Sequence, residues 1–198
     1  MEEARNIVQL RGEALGEPVL SHENHGQRFC RFPLSVRRLS GQADLLPVIA
    51  TEEQLRGLLP LTGRRLFVEG QLRSFNNKSG QGSRLVISVL ARVLGPTREE
   101  DRNDILLRGV LCKLPVLRRT PLGRCICDIM LAVNRRYGRT DYLPCIAWGQ
   151  VALEAGARTV GYRLGLEERV QSREYTKVLE DRTEVRTAFE VSIMQLTE

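Results

Sequence analysis

Along most of the chain, apolar and polar residues alternate one by one. RLFVEGQLRSF, RLVISVLARVL, DIMLAVN and YRLGLEERVQSREY place hydrophobic side chains at every second position, favour β-branched and aromatic residues, and end in turn residues. A period of two predicts strands. Two segments break the rule. TEEQLRGLLP (51–60) has a Thr at its start, acids in its first turn, Leu55, Leu58 and Leu59 at helical spacing and a closing Pro, which predicts a short helix. GQVALEAGARTVG (149–161) predicts a second helix, ended by glycine.

The pattern occurs twice. NIVQLRG (6–12) matches NDILLRG (103–109) at an offset of 97, aligning Gly12 with Gly109; the same offset aligns LSVRR with LAVNR and PVIA with PCIA. LFVEG then answers LGLEE, and RLVISVLARVL answers RTAFEVSIMQL, with small drifts of offset. Between the copies, GPTREEDR has the Gly-Pro turn and charges of a short connection. The expected organisation is a first domain over 1–95, a linker over 96–102 and a second domain over 103–198. About five strands per copy, with one helix after the third, predict an all-β chain with short helices: two tandem OB-fold five-stranded barrels.

One strand poses a functional question. In TDYLPCIAWG, Leu143, Cys145 and Ala147 share one face, and Tyr142, Pro144, Ile146 and Trp148 share the other. The first set suits a core. Two large rings on the opposite face either pack in an interface or offer flat surfaces to a ligand.

Charge narrows the choice. Net charge is +6, which favours a polyanionic partner without requiring one. Its strongest local cluster lies between 118 and 139, where Arg118, Arg119, Arg124, Arg135, Arg136 and Arg139 face a single acid, Asp128. The five cysteines form no CxxC pair and sit in apolar runs, so buried reduced thiols are expected, with no metal and no cofactor. His22 and His25 fall in the polar stretch SHENHGQ, expected as a solvated hairpin tip. No apolar run reaches the roughly 18–20 residues that cross a bilayer, and the start lacks signal-peptide character. Walker, HExxH, GxSxG and DxDxDG patterns are missing, so no enzyme is expected.

NDILLRGVLCKLP, RRTPLGRCICDIMLAVNRRYGRTDYLPCIAWGQVALEA and ERVQSREY, in that order, resemble bacterial single-stranded DNA-binding proteins over 103–193, and more faintly over 6–94. The resemblance implies that Tyr137, Tyr142, Trp148 and Tyr175 stack on bases. Exposed rings stack on unpaired bases without reading sequence. Arg118, Arg119, Arg135, Arg136, Arg139 and Arg173 would then meet the phosphates. In the first copy, which lacks Tyr and Trp, Arg37, Arg38, Arg73 and Lys78 are candidate phosphate contacts and Phe75 the candidate ring; an ordinary solvated face is the competing reading. NNKSGQG (76–82) is either a plain turn or a tip extending over a bound strand. Tyr162 and Phe189 are expected to be structural.

The family's usual assembly has four OB domains, which implies a homodimer of this tandem chain, or a tetramer. The chain stops after VSIMQLTE, and the family's acidic recruitment tail is not expected here. Expected partners are single-stranded DNA and another copy of the chain, with no membrane. The expected setting is cytoplasmic and nucleoid-associated, in replication, recombination or repair. Two alternatives stay open: a structural or protein-interaction OB protein, akin to a primosome accessory with weak nucleic-acid binding, and RNA binding.

Overall fold

Single-residue alternation becomes strands with one face turned inward. The computed structural model describes residues 5–77, 84–135, 138–178 and 183–197. The first copy forms β1 (Asn6–Ala14), β2 (Val19–Asn24), β3 (Gln27–Arg37), β4 (Ala43–Thr51), α1 (Glu52–Leu55), β5 (Arg65–Asn76) and β6 (Leu85–Pro96). Its counterpart forms β7 (Arg102–Leu111), β8 (Val116–Arg119), β9 (Cys125–Asn134), β10 (Thr140–Trp148), α2 (Gly149–Gly156), β11 (Arg163–Val178) and β12 (Thr183–Thr197).

In the first copy the strands run β2-β3-β4-β6-β5-β1, and a further β1–β3 pairing closes the ring. β4 and β6 are parallel, through Val48↔Val89 and Ile49↔Leu90. The second copy repeats this as β7-β11-β12-β10-β9-β8, closed by β7–β9, with β10 and β12 parallel. Each ring is a five-stranded OB barrel, and β2 or β8 is an extra edge strand hung on it.

Closure depends on Gly12 and Gly109. Here β1 or β7 leaves one neighbour for another, and the backbones approach closely. A Cβ added at Gly12 would lie 2.2 Å from the Ser35 carbonyl oxygen, and one at Gly109 would lie 2.5 Å from that of Ala132. Only glycine fits such a seam.

Phe32, Leu34, Leu46, Leu66 and Leu72 fill the first core; Leu107, Leu111, Leu131, Leu143 and Leu166 fill the second. All five cysteines are free. Burial pushes the thiols of Cys30, Cys127 and, most strongly, Cys145 above the ordinary range.

The predicted helix over 51–60 is mostly not helical. α1 stops at Leu55: Arg56 takes an extended conformation and Gly57 has φ +86°. What forms is a capping box, in which Thr51 Oγ1 accepts from Gln54 N and Gln54 Oε1 accepts from Thr51 N.

The described chain divides into two compact units. One comprises Ile7–Arg73 and Ile87–Asp104; the other comprises Met1–Asn6, Ser74–Val86 and Ile105–Glu198. The end of β5 from Ser74 and the start of β6 up to Val86 thus cluster with the second copy. The connection over 96–102 is fastened within the first unit. Thr97 N donates to Arg65 O at 3.0 Å, Arg65 Nη2 donates to Glu99 O and Asp101 Oδ1, and Arg11 pairs with Glu99 at 2.7 Å. Among the described residues no helix is long and apolar enough to cross a membrane.

Candidate nucleic-acid interface

The site begins with the pleat of β10. Leu143, Cys145 and Ala147 are buried, while Tyr142 and Trp148 on the opposite face are 49% and 41% exposed. Register extends that face across the sheet, because directly paired residues share a side. Arg118 lies opposite Ile126, which lies opposite Trp148. A second row runs Val116–Asp128–Ile146–Ser192–Arg169 through all five strands from β8 to β11. Two and three positions past its end by the same parity come Arg173, which is exposed, and Tyr175, which is half-buried; Arg173 and Tyr175 share the face of Arg169. Trp148 lies six positions beyond Tyr142, a span of about 20 Å along the strand.

The arginines separate into distinct roles. Arg118 is on the Trp148 face, but Asp128 engages it in a bidentate pair, Nε–Oδ2 2.6 Å and Nη2–Oδ1 3.1 Å, with both side chains about half exposed. Arg119 points to the opposite side of β8, the side on which Leu117 lies against Gly156 of α2. Arg139 is exposed, and its carbonyl accepts from Arg135 N at 2.7 Å to close the turn after β9. Arg136, Tyr137 and Lys78 lie outside the described residues.

Arg135 serves the fold. Its Nε and Nη2 both donate to Asp141, Nε–Oδ2 being 2.6 Å, and Asp141 is fully buried. Asp141 Oδ1 also accepts from Ser74 N at 2.7 Å, Ser74 Oγ accepts from Tyr142 N at 2.8 Å, and Ser74 O accepts from Arg135 Nη2 at 3.2 Å. This network pins the tip of β5 to the start of β10. Phe75, the next residue, is 52% exposed, so the ring expected to serve the first copy is tethered at the Tyr142 end of the second copy's site. The sequence reading missed Asp141, although the offset of 97 pairs it with Asp44 and Arg135 with Arg38.

In the first copy, Arg38 grips the fully buried Asp44 in the same way, Nε–Oδ2 2.7 Å and Nη2–Oδ1 2.5 Å. Arg73 is half-buried and donates to Gln71 Oε1. Arg37 is exposed on the outer face of β3, and its backbone N–H donates to Asp101 Oδ2 at 2.6 Å. Tyr162 has the Arg158 guanidinium 4.5 Å over its ring.

Two OB barrels in tandem, one bearing rings and cations on a single outer face, define the architectural class. Residues 102–197, the second copy, match the model of the single-strand binding protein family. It is similar to the single-stranded DNA-binding protein of Thermus thermophilus, 29% identical over 157 residues that cover 69% of this chain and 56% of that one. It also resembles single-stranded DNA-binding protein 2 of Listeria innocua, 34% identical over 37% of this chain and 50% of that one. The chain thus spans about half the length of these relatives. The crystal structure of the wild-type single-stranded DNA binding protein from Thermus aquaticus superimposes with a TM-score of 0.77 at 25% identity, covering 99% of this chain and 93% of that one.

Proposed function

We propose that this chain binds and protects single-stranded DNA without catalysis, in replication, recombination or repair. The observation that carries the reading is the shared outer face of the second barrel, where Trp148 and Tyr142 stand at opposite ends of β10 with Phe75 tethered beside the latter. An unpaired strand lying along that face stacks on the rings, each worth about 1–3 kcal/mol, and meets Arg139 and Arg173 through its phosphates. Duplex bases are already stacked and cannot use such rings. Similarity to proteins described as single-stranded DNA-binding supports the same reading.

The assembly we propose is a homodimer presenting four OB barrels. Its support is the exposed apolar edge formed by Val116 and Leu117 on β8, with Leu114 and Leu122 beside it. Sedimentation equilibrium tests it: a mass of twice the chain is expected, and a monomer at micromolar concentration rejects it.

The chain has one tryptophan, so intrinsic fluorescence reports on the site directly. Titration with oligo-dT should quench Trp148, and binding should weaken as salt rises. A flat signal together with unchanged binding by Trp148→Ala would make Trp148 an interface residue and the chain an interaction module.

A further inference from the structure

The first copy's outer face differs from the second's in a way that only register reveals. Trp148 lies across from Ile126. At the equivalent pair, 97 residues earlier, Thr51 lies across from Phe29. The large ring has moved one strand over, from the central strand to its neighbour, a displacement of about 5 Å. It has also gained a companion. Where Arg118 faces Ile126, His22 faces Phe29, and the two rings are stacked with centroids 4.8 Å apart and planes within 2°.

Charge changes in the same direction. The neighbour of the platform on β9 is Asp128, which occupies Arg118; the equivalent position on β3 is Arg31. Arg31 is exposed, and it shares the outer face of β3 with Phe29 and Arg37 while Cys30, Phe32, Leu34 and Val36 face the core. The hairpin carrying the rings is held tightly. Its two-residue turn places His25 at φ +49° and Gly26 at φ +73°, the geometry that matches the twist of paired strands, and His22 Nδ1 lies 3.1 Å from Ser21 Oγ. With His22 exposed on the edge strand β2 and Phe29 half-buried on β3, outside the buried core set, the prestacked ring pair adds little to the core.

We propose that His22 and Phe29, flanked by Arg31 and Arg37, form a second stacking site for unpaired nucleotides, within the first barrel. It rests on the reading of the chain as a single-stranded DNA binder. A base extends the stack on the open face of His22, and Arg31, released from any acid in its row, meets the adjoining phosphate. The first copy then contributes to binding with a ring at a position that matching to Trp148 does not reveal.

The test uses the full chain and labelled oligo-dT long enough to span both copies, followed by anisotropy at several salt concentrations, beside Trp148 quenching by a short oligonucleotide. Phe29→Leu keeps an apolar side chain and loses the π-face; Phe29→Tyr keeps both. Arg31→Asp installs the residue the second copy uses there. Phe29→Leu should weaken long-oligonucleotide binding about five- to a hundredfold while Trp148 quenching by the short one persists, and Phe29→Tyr should restore affinity. Arg31→Asp should reduce the magnitude of the salt slope by about 0.7. If Phe29→Leu and Arg31→Asp bind the long strand with the parent's affinity and salt slope while Trp148 still quenches, the second site is wrong and the first stands. If the parent neither binds nor quenches, both fall together.

Discussion

The guanidinium of Arg135 closes on both carboxylate oxygens of Asp141, a side chain with no exposure to solvent. Removing one partner of a buried pair leaves an uncompensated charge, at about 3–5 kcal/mol. Arg135→Ala should therefore lower the thermal midpoint sharply, and Arg135→Lys should rescue little because an ammonium cannot engage both oxygens of the carboxylate as a planar fork does. Binding to single-stranded DNA should fall with stability, since the same network positions Tyr142 and Phe75. Thermal denaturation with a binding isotherm on each variant checks both.

The other arginine pair should behave in the opposite way. Arg118 and Asp128 are about half exposed, so their mutual attraction contributes only about 0–1 kcal/mol to stability. Asp128→Ala should leave the melting temperature nearly unchanged. It should tighten oligo-dT binding about two- to fivefold at low salt and steepen the salt slope by about 0.7, because Arg118 becomes available to a phosphate. A salt titration of affinity decides; weaker binding would mean that Asp128 positions Arg118 productively.

Trp148→Ala separates binding from folding. With 41% of the residue exposed, its loss should change stability by less than about 1 kcal/mol and weaken single-strand binding about five- to a hundredfold. Tyr142→Ala should act similarly. The paired measurements are denaturant unfolding and anisotropy; a large loss of stability with intact affinity would assign Trp148 to packing.

Glu168 should make stability depend on pH. It lies in the second barrel's core, neither carboxyl oxygen has a hydrogen-bond partner among the described residues, and burial raises its pKa well above the ordinary value. The folded chain thus holds a proton that the unfolded chain releases near pH 4.3. Below that pH both states are protonated and Glu168 imposes no charge penalty. Above it the unfolded state binds fewer protons, and stability falls until pH passes the folded pKa. Glu168→Leu should remove this slope, gaining on the parent at pH 8 relative to pH 4, as unfolding at the two pH values will register.

Much of the architecture was legible in the repeat. The offset of 97 aligned Gly12 with Gly109, and both prove to be seams where only glycine fits. Parity along β10 separated Tyr142 and Trp148 from the buried set. Helical spacing misled at 51–60, because a leucine spacing says nothing of the left-handed Gly57 that ends the turn. Composition could not sort the arginines either. Arg135 and Arg38 looked like Arg139 and Arg173 until burial of their aspartates was known. Phe29 escaped notice because a one-chain pattern carries no record of which residue lies across the ladder.

Ser74 gives the repeat an unexpected property. Its amide and hydroxyl bond to the strand that carries Tyr142 and its carbonyl to Arg135 just past the end of the preceding strand, yet it is encoded in the first copy. Cutting the chain at the connection between copies would leave Asp141 without one donor and Tyr142 N without its acceptor. The segment duplicated in the sequence and the smallest piece able to fold intact are therefore different objects, and an excised second half should be a wounded domain unless the hairpin of its predecessor travels with it.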